Sequence, residues 1–189
     1  MKNLTKEQEI IKLLFKDQLT FYNSRSISKI IGISHAGAFK ILKKLEKRQI
    51  VKPLRIGKAV IYSLNKENPV TSREIEMVLT LEAQNHRRWI EEFKYIQDKA
   101  KFAVLFGSII ENESSAKDID LLVVADKNKF NDIRRLIKER GKFLNKRVHL
   151  LLQKPEEFKS DLNNKNKVLI GLIKKGIVLF GQEEVRKIV

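Results

Sequence analysis

An apolar strand that ends in a Gly-Ser pair, with two aspartates close behind it, is the feature that most constrains this chain. Residues 102–106 form a continuous apolar run that leads directly into Gly107 and Ser108. Such a run predicts a buried strand, and glycine after it predicts a turn where a side chain would crowd the backbone. Asp118 and Asp120 then precede a second apolar run. Because strand side chains alternate, both carboxylates point to one face and can share a divalent cation such as Mg²⁺.

The remaining elements of the second half are ordered along the chain. The pattern predicts a helix over residues 131–142, a strand over 147–152, a helix over 155–175 and a final apolar strand over 177–180. Strands and helices in this order predict a small α+β domain with a mixed sheet, covering residues 101–189.

Residues 86–181 resemble the polymerase-beta-type nucleotidyltransferases in their minimal form. The resemblance rests on Gly107-Ser108, on the Asp-X-Asp pair at Asp118 and Asp120, and on the closing sequence LIKKGIVLFG. It implies that the Gly-Ser turn holds the triphosphate of an NTP and that the two aspartates bind Mg²⁺. It also implies a third carboxylate on a later strand, which would complete the metal site and activate the attacking hydroxyl. Lys117, next to Asp118, is a further candidate for binding phosphate.

The third carboxylate of the family is absent from its expected strand. Residues 147–152 offer only His149 as a polar inward candidate, and an imidazole accepts a proton but is a poor ligand for Mg²⁺. Three alternatives stay open: transfer of an NMP to a protein or nucleic-acid hydroxyl, nucleotide binding without turnover, and a purely structural or dimerising role. The missing carboxylate favours a regulator over an enzyme. Minimal members also act as antitoxins, so for the alternative in which the protein transfers an NMP, the resemblance implies a helical protein partner.

The first third of the chain has the pattern of three helices followed by a hairpin. Residues 5–19 predict a helix with a capping box of Thr5 and Gln8. Ser26 is expected to cap a second helix, Gly32 to end it, and Ser34 to cap a third helix over residues 34–49. The predicted inner faces of the second and third helices consist of Ile27, Ile30, Ile31, Phe39, Leu42 and Leu45. Residues 50–54 and 59–64 predict two strands, with Gly57 in the turn between them.

This order of elements resembles the winged helix-turn-helix transcription regulators, over about a third of the chain. Residues 1–68 hold 15 Lys or Arg and five Asp or Glu, a net charge of +10 out of +16 for the whole chain. A cationic domain of this kind predicts double-stranded DNA as the partner, and a winged helix used for protein contacts is the alternative. The candidate DNA-binding residues are polar positions of the third helix and the hairpin: Ser34, His35, Lys40, Lys43, Lys44, Lys47, Arg55 and Lys58.

A connecting helix is predicted over residues 71–99, between the two domains. The expected boundaries are therefore 1–68, 69–100 and 101–189. The first half of this helix carries apolar residues such as Ile75 and Val78, which could pair with a second copy, so we expect a homodimer. Trp89 in the second half is expected to anchor packing.

The composition excludes several classes of protein. Cysteine is absent, which excludes disulfides, thiolate metal sites and cysteine nucleophiles. No apolar run approaches the roughly 20 residues that span a bilayer, and the first ten residues lack the apolar stretch of a signal peptide. We therefore expect a cytoplasmic protein that does not bind a membrane.

Overall fold

The computed structural model of the protein describes residues 4–17 and 19–189. The chain divides into two compact units, one ending at Val78 and the other formed by Leu79–Val189. None of the helices in these parts of the chain is long and apolar enough to cross a membrane.

The N-terminal unit is a winged helix, as predicted. Strand β3 lies between β1 and β2, and all pairings are antiparallel, so β2 and β3 form the hairpin that serves as the wing. In chain order its elements are α1 (Lys6–Lys16), β1 (Tyr22–Asn23), α2 (Ser24–Ile31), α3 (His35–Lys47), β2 (Val51–Ile56) and β3 (Ala59–Leu64).

Polar side chains set the ends of these helices. The capping box of Thr5 and Gln8 is confirmed, and α1 ends at Lys16 rather than at residue 19; residue 18 lies outside the described part of the chain. The predicted cap at Ser26 was wrong. The Asn23 side chain accepts a hydrogen bond from the Ser26 backbone N–H at 2.8 Å, so the cap lies three residues earlier and Ser26 completes the capping box.

The turn between α2 and α3 follows the prediction. Gly32 adopts a left-handed conformation with φ of 69°, and the Ser34 hydroxyl accepts a hydrogen bond from the Gly37 N–H at 3.0 Å. The predicted inner faces need two corrections, since Ile30 is 55% exposed and Phe39 is 46% exposed. Ala38, four residues before Leu42, takes the inward position instead of Phe39.

The core of this unit joins all three helices to the hairpin. Its fully buried side chains include Ile10, Ile11, Phe15, Ile27, Ala38, Leu42, Leu45 and Ile50.

The predicted connecting helix is interrupted. Its segments are α4 (Pro69–Gln84), α5 (Arg87–Phe93) and a 3-10 turn, Lys94–Ile96. Tight turns end α4, because the N–H groups of residues 85 and 86 bond to carbonyls three residues back. Ile75 and Val78 are buried within this chain, so they cannot form the surface on which the dimer was predicted; the dimer itself stays a prediction.

The C-terminal unit is an α+β domain around a four-stranded sheet. The strand order is β6-β5-β4-β7, with β5 and β6 parallel and the other pairs antiparallel. After α5 its elements are β4 (Phe102–Phe106), α6 (Ser108–Glu111), β5 (Asp118–Val124), α7 (Phe130–Gly141), β6 (Arg147–Gln153), α8 (Pro155–Asn163), α9 (Lys167–Lys175), β7 (Ile177–Phe180) and α10 (Gln182–Ile188).

The single helix predicted over residues 155–175 is two helices. Lys165 has a left-handed φ of 53°, which ends the first helix, and the Asn166 side chain caps the second. The short helix α6 and the last helix α10 were not predicted.

Helices cover both faces of the sheet. On one face, Leu105 and Leu121 pack in a cluster with Trp89 and with Ile133 of α7. On the other face, Phe102 meets Phe158 of α8 edge to face, with ring centroids 5.0 Å apart. Strands β4 and β7 and most of β5 are therefore a buried layer beside which a functional group can be held in place.

Replacing Phe158 tests the importance of this second face. We expect Phe158→Ala to lower the free energy of unfolding of the C-terminal unit by about 3–5 kcal/mol, because the side chain is fully buried. Trp89 is the only tryptophan of the chain and lies in this unit, so urea denaturation followed by its fluorescence measures the change. Phe143→Ala is the control: Phe143 is 84% exposed, and an equal loss there would contradict the assignment.

Candidate functional site

The carboxylate of Asp120 lies directly against the Gly-Ser turn. Residue 120 is paired with Phe106, the last residue of β4, and Gly107 follows with φ of 78°. A Cβ atom at residue 107 would come within 2.1 Å of Asp120 Oδ2. Glycine is therefore required here both by the backbone conformation and by the space that the carboxylate occupies.

Strand β6 brings an imidazole and a guanidinium to the same edge. Its parallel register pairs Asp120 with His149 and Asp118 with Arg147. His149 Nδ1 lies 3.4 Å from Asp120 Oδ1, and the two side chains are 51% and 27% exposed. The imidazole thus stands beside the aspartates at an open surface, where the resemblance implies a third carboxylate. Arg147 was not predicted as a site residue, although its alternation with His149 indicates the same face.

These residues fit a magnesium ion held in part by substrate. No group of three or more acidic or histidine side chains close enough to hold a metal ion occurs within residues 4–17 and 19–189. Asp118 and Asp120 share one face of β5, and Mg²⁺ in proteins is usually bound by one or two carboxylates together with substrate phosphates and water. The pair of aspartates suffices for that arrangement, and His149 is not needed as a ligand.

The predicted phosphate-binding residues line the same end of the sheet. Ser108 is exposed and begins α6, directly after Gly107. Lys117 is exposed immediately before β5, and it forms no ion pair with any residue of the described ranges. Both side chains are therefore accessible to an anion beside Asp118.

The predicted DNA-binding lysines of α3 fall into two groups. Lys44 bonds Glu7 of α1 at 2.7 Å, and Arg48 bonds both Glu7 and Glu74, so this side of the helix is tied to α1 and α4. Lys43 bonds Glu46 one turn along at 2.8 Å, and this hydrogen bond raises the pKa of Lys43. Lys43 and Lys44 therefore form the first group, whose members are already paired with a glutamate within the fold.

The other basic candidates are exposed without a carboxylate partner among the residues described. They are Lys40 and Lys47 on α3, Arg55 on β2 and Lys58 in the turn of the wing. Of the two remaining candidates, Ser34 serves as the cap of α3, and His35 Nε2 lies 2.8 Å from the Ser24 hydroxyl. The exposed ring of Phe39, with Lys43 Nζ 5.8 Å from its centroid, lies on this helix too and was missed because it was predicted to face inward.

Comparison with known families identifies the C-terminal unit. The family described as "Polymerase beta, Nucleotidyltransferase" matches residues 89–185, just over half of the chain. The chain therefore belongs to the polymerase beta nucleotidyltransferase family, and its N-terminal unit adds a winged helix to that domain.

Similar solved structures were found at low similarity. Wild-type ZitR from Lactococcus lactis is 18% identical with a TM-score of 0.34, covering 75% of this chain and 76% of that chain. The adhesin competence repressor AdcR from Streptococcus pyogenes is 13% identical with a TM-score of 0.33, covering 76% of this chain and 84% of that chain. No curated protein sequence matches the chain. The winged helix is identified from the elements of this chain itself.

Adding one methyl group at the turn tests the contact with Asp120. We expect Gly107→Ala to lower the free energy of unfolding of the C-terminal unit by about 1–3 kcal/mol, because alanine strains the backbone and displaces the carboxylate. Gly171→Ala is the matched control. A Cβ there meets nothing within 4 Å, and alanine in the exposed middle of α9 should stabilise the unit by about 0.5–1 kcal/mol. Trp89 fluorescence in urea measures both, and equal stabilities of the two variants would contradict the geometry.

Proposed function

We propose that the protein is a DNA-binding regulator that contacts duplex DNA through α3 and the wing. The support comes from the winged-helix fold and from the distribution of charge on α3. The acidic residues Glu7 and Glu74 pair with Lys44 and Arg48, on the side that faces α1 and α4. Lys40 and Lys47 remain exposed. Unpaired cations on a helix that follows a helix-turn are suited to phosphate contacts along a DNA groove.

Replacing the unpaired lysines tests this proposal. We expect Lys40→Ala with Lys47→Ala to weaken binding to duplex DNA and to reduce the slope of log affinity against log salt concentration by about 2, since each lost phosphate contact contributes about 0.9. Fluorescence anisotropy across a salt series measures both quantities.

The matched control is Lys44→Ala with Lys12→Ala, which removes the same charge from positions outside the proposed contact. Because Lys44 is held by Glu7, the control should retain most of the slope. Equal effects of the two double variants would overturn the assignment of α3. A binding curve that neither variant changes would favour a winged helix that contacts protein instead.

The second candidate function is Mg²⁺-dependent transfer of a nucleotide, and the open edge that carries Asp118, Asp120 and His149 favours it. Asp118 and Asp120 would hold Mg²⁺, which when bound neutralises the charge of the NTP phosphates. Ser108 and Lys117 are placed to bind the phosphates themselves. With a proton on Nδ1 directed at Asp120, His149 Nε2 is left to accept the proton of an acceptor hydroxyl. A domain that binds the nucleotide without transferring it uses the same aspartates, and an assay for transfer separates the two.

Substitution of the aspartates and the histidine tests this site. Asp118→Asn with Asp120→Asn should abolish any Mg²⁺-dependent rise in melting temperature with ATP, because amides do not supply the negative charge that holds the ion. His149→Asp adds the carboxylate that the family places there and should lower the Mg²⁺ concentration needed for half of the shift.

Transfer is measured with labelled ATP and DNA, RNA or protein acceptors. Label that appears with the natural chain and disappears in the aspartate variant supports an enzyme. A Mg²⁺-dependent shift without label supports nucleotide binding alone, and no shift with any NTP overturns both.

A further inference from the structure

A cationic groove lies on the C-terminal unit between α7 and strand β6. Its volume is about 630 Å³, and its polar lining contains five basic residues and no acidic one. The basic residues of the groove are Arg134, Lys138, Lys142, Lys146 and Arg147. A concave surface that collects five positive charges without a compensating carboxylate attracts a polyanion.

The charges of the groove are free to act on a ligand. Lys138, Lys142 and Arg147 are exposed and have no carboxylate partner among the residues that the structure describes. Arg134 stacks over the Phe130 ring, 5.8 Å from its centroid, and Lys146 donates to the carbonyl of Ala116. Neither contact neutralises the positive charge.

The spacing of these charges suits a chain of phosphates. Arg134, Lys138 and Lys142 follow one another at intervals of four residues along α7 and its C-cap. Four residues of an α-helix advance about 6 Å, so the three side chains form an evenly spaced row. One row of cations can therefore meet several phosphates of one strand.

An aromatic side chain at the rim distinguishes a nucleic acid from an acidic protein. Phe143 is 84% exposed, and both of its neighbours, Lys142 and Leu144, line the groove. The floor contains the apolar side chains of Ile137, Val148 and Leu150. A basic groove with an exposed aromatic ring is the combination by which proteins bind unpaired bases, because each base offers a face for stacking.

We propose that this groove binds single-stranded nucleic acid, with phosphates on the cations of α7 and β6 and a base stacked on Phe143. The groove belongs to the C-terminal unit, whereas α3 and the wing belong to the N-terminal unit, and the proposal does not depend on whether the aspartates catalyse transfer. Arg147 contributes to the lining of the groove and is also the register partner of Asp118.

The test uses the full chain with Lys40→Ala and Lys47→Ala, so that the proposed duplex contact is weakened in every sample. The probe is a labelled single strand of about ten nucleotides. Arg134→Gln with Lys138→Gln and Lys142→Gln should reduce the salt slope of binding by about 2, since each phosphate contact on a single strand contributes about 0.7. The control, Lys129→Gln with Lys159→Gln and Lys167→Gln, removes the same charge from exposed positions outside the groove.

Phe143→Ala examines the stacking contact alone. It should weaken binding of the single strand about tenfold while leaving the salt slope unchanged, because it removes a base contact and no charge. It should leave the binding of a duplex of the same length unchanged. Circular dichroism and melting temperature establish that the variants are folded.

Two results would overturn the proposal. Equal losses in the groove variant and its control would show that only total charge matters. Displacement of the single strand by polyglutamate at equal charge concentration, without any effect of Phe143→Ala, would assign the groove to an acidic protein. The duplex measurements of α3 are independent of both results, so failure of this proposal and failure of the DNA-binding proposal are distinguishable.

Discussion

The close approach of the Asp120 carboxylate to Gly107 sets the geometry of the candidate site in the C-terminal unit. It joins the end of β4 to the beginning of β5, and the parallel pairing of β5 with β6 then places His149 and Arg147 beside the two aspartates. Strands β4 and β7 and most of β5 are buried between helices, so the polar groups stand beside a support that resists displacement. A side chain at residue 107 would disturb the turn and the carboxylate together.

A different interaction orders the N-terminal unit. Glu7 forms ion pairs with both Lys44 and Arg48, and Glu74 forms a further ion pair with Arg48. Charged side chains thus join α1 and α4 to one side of α3. Exposed ion pairs contribute little to stability individually. Their larger effect here is on the distribution of charge, because the acidic groups neutralise one side of the helix and leave the lysines of the other side available.

Local signals in the sequence predicted much of this architecture. The left-handed turn at Gly32, the cap at Ser34 and the apolar strand before Gly107 each depend on neighbouring residues, and the structure contains all three. The predictions failed where a choice depended on contacts distant in sequence. Phe39 has the apolar character of a core residue, but the smaller Ala38 fits the inward position. The break at Lys165 was missed because a lysine in a left-handed conformation has no clear sequence signal.

The candidate site shows the same division. The aspartates and the Gly-Ser pair are adjacent to strong strand patterns and could be found from the sequence. The side-by-side position of His149 and Asp120 requires the register of two strands separated by a helix, which no local pattern specifies. The groove beside α7 also escaped notice, since its charges come from a helix, a loop and a strand.

Strand β6 stands at the end of its sheet and pairs with β5 on one side only in the part of the chain that the structure describes. The unpaired backbone groups of such an edge can bind strands of other molecules. The apolar side chain of Leu151 on this strand is 49% exposed and would favour that association. Lys146 directly precedes the strand and Arg147 begins it, and like charges repel when two such edges approach. The same cations that line the groove therefore also protect the molecule from aggregating edge to edge.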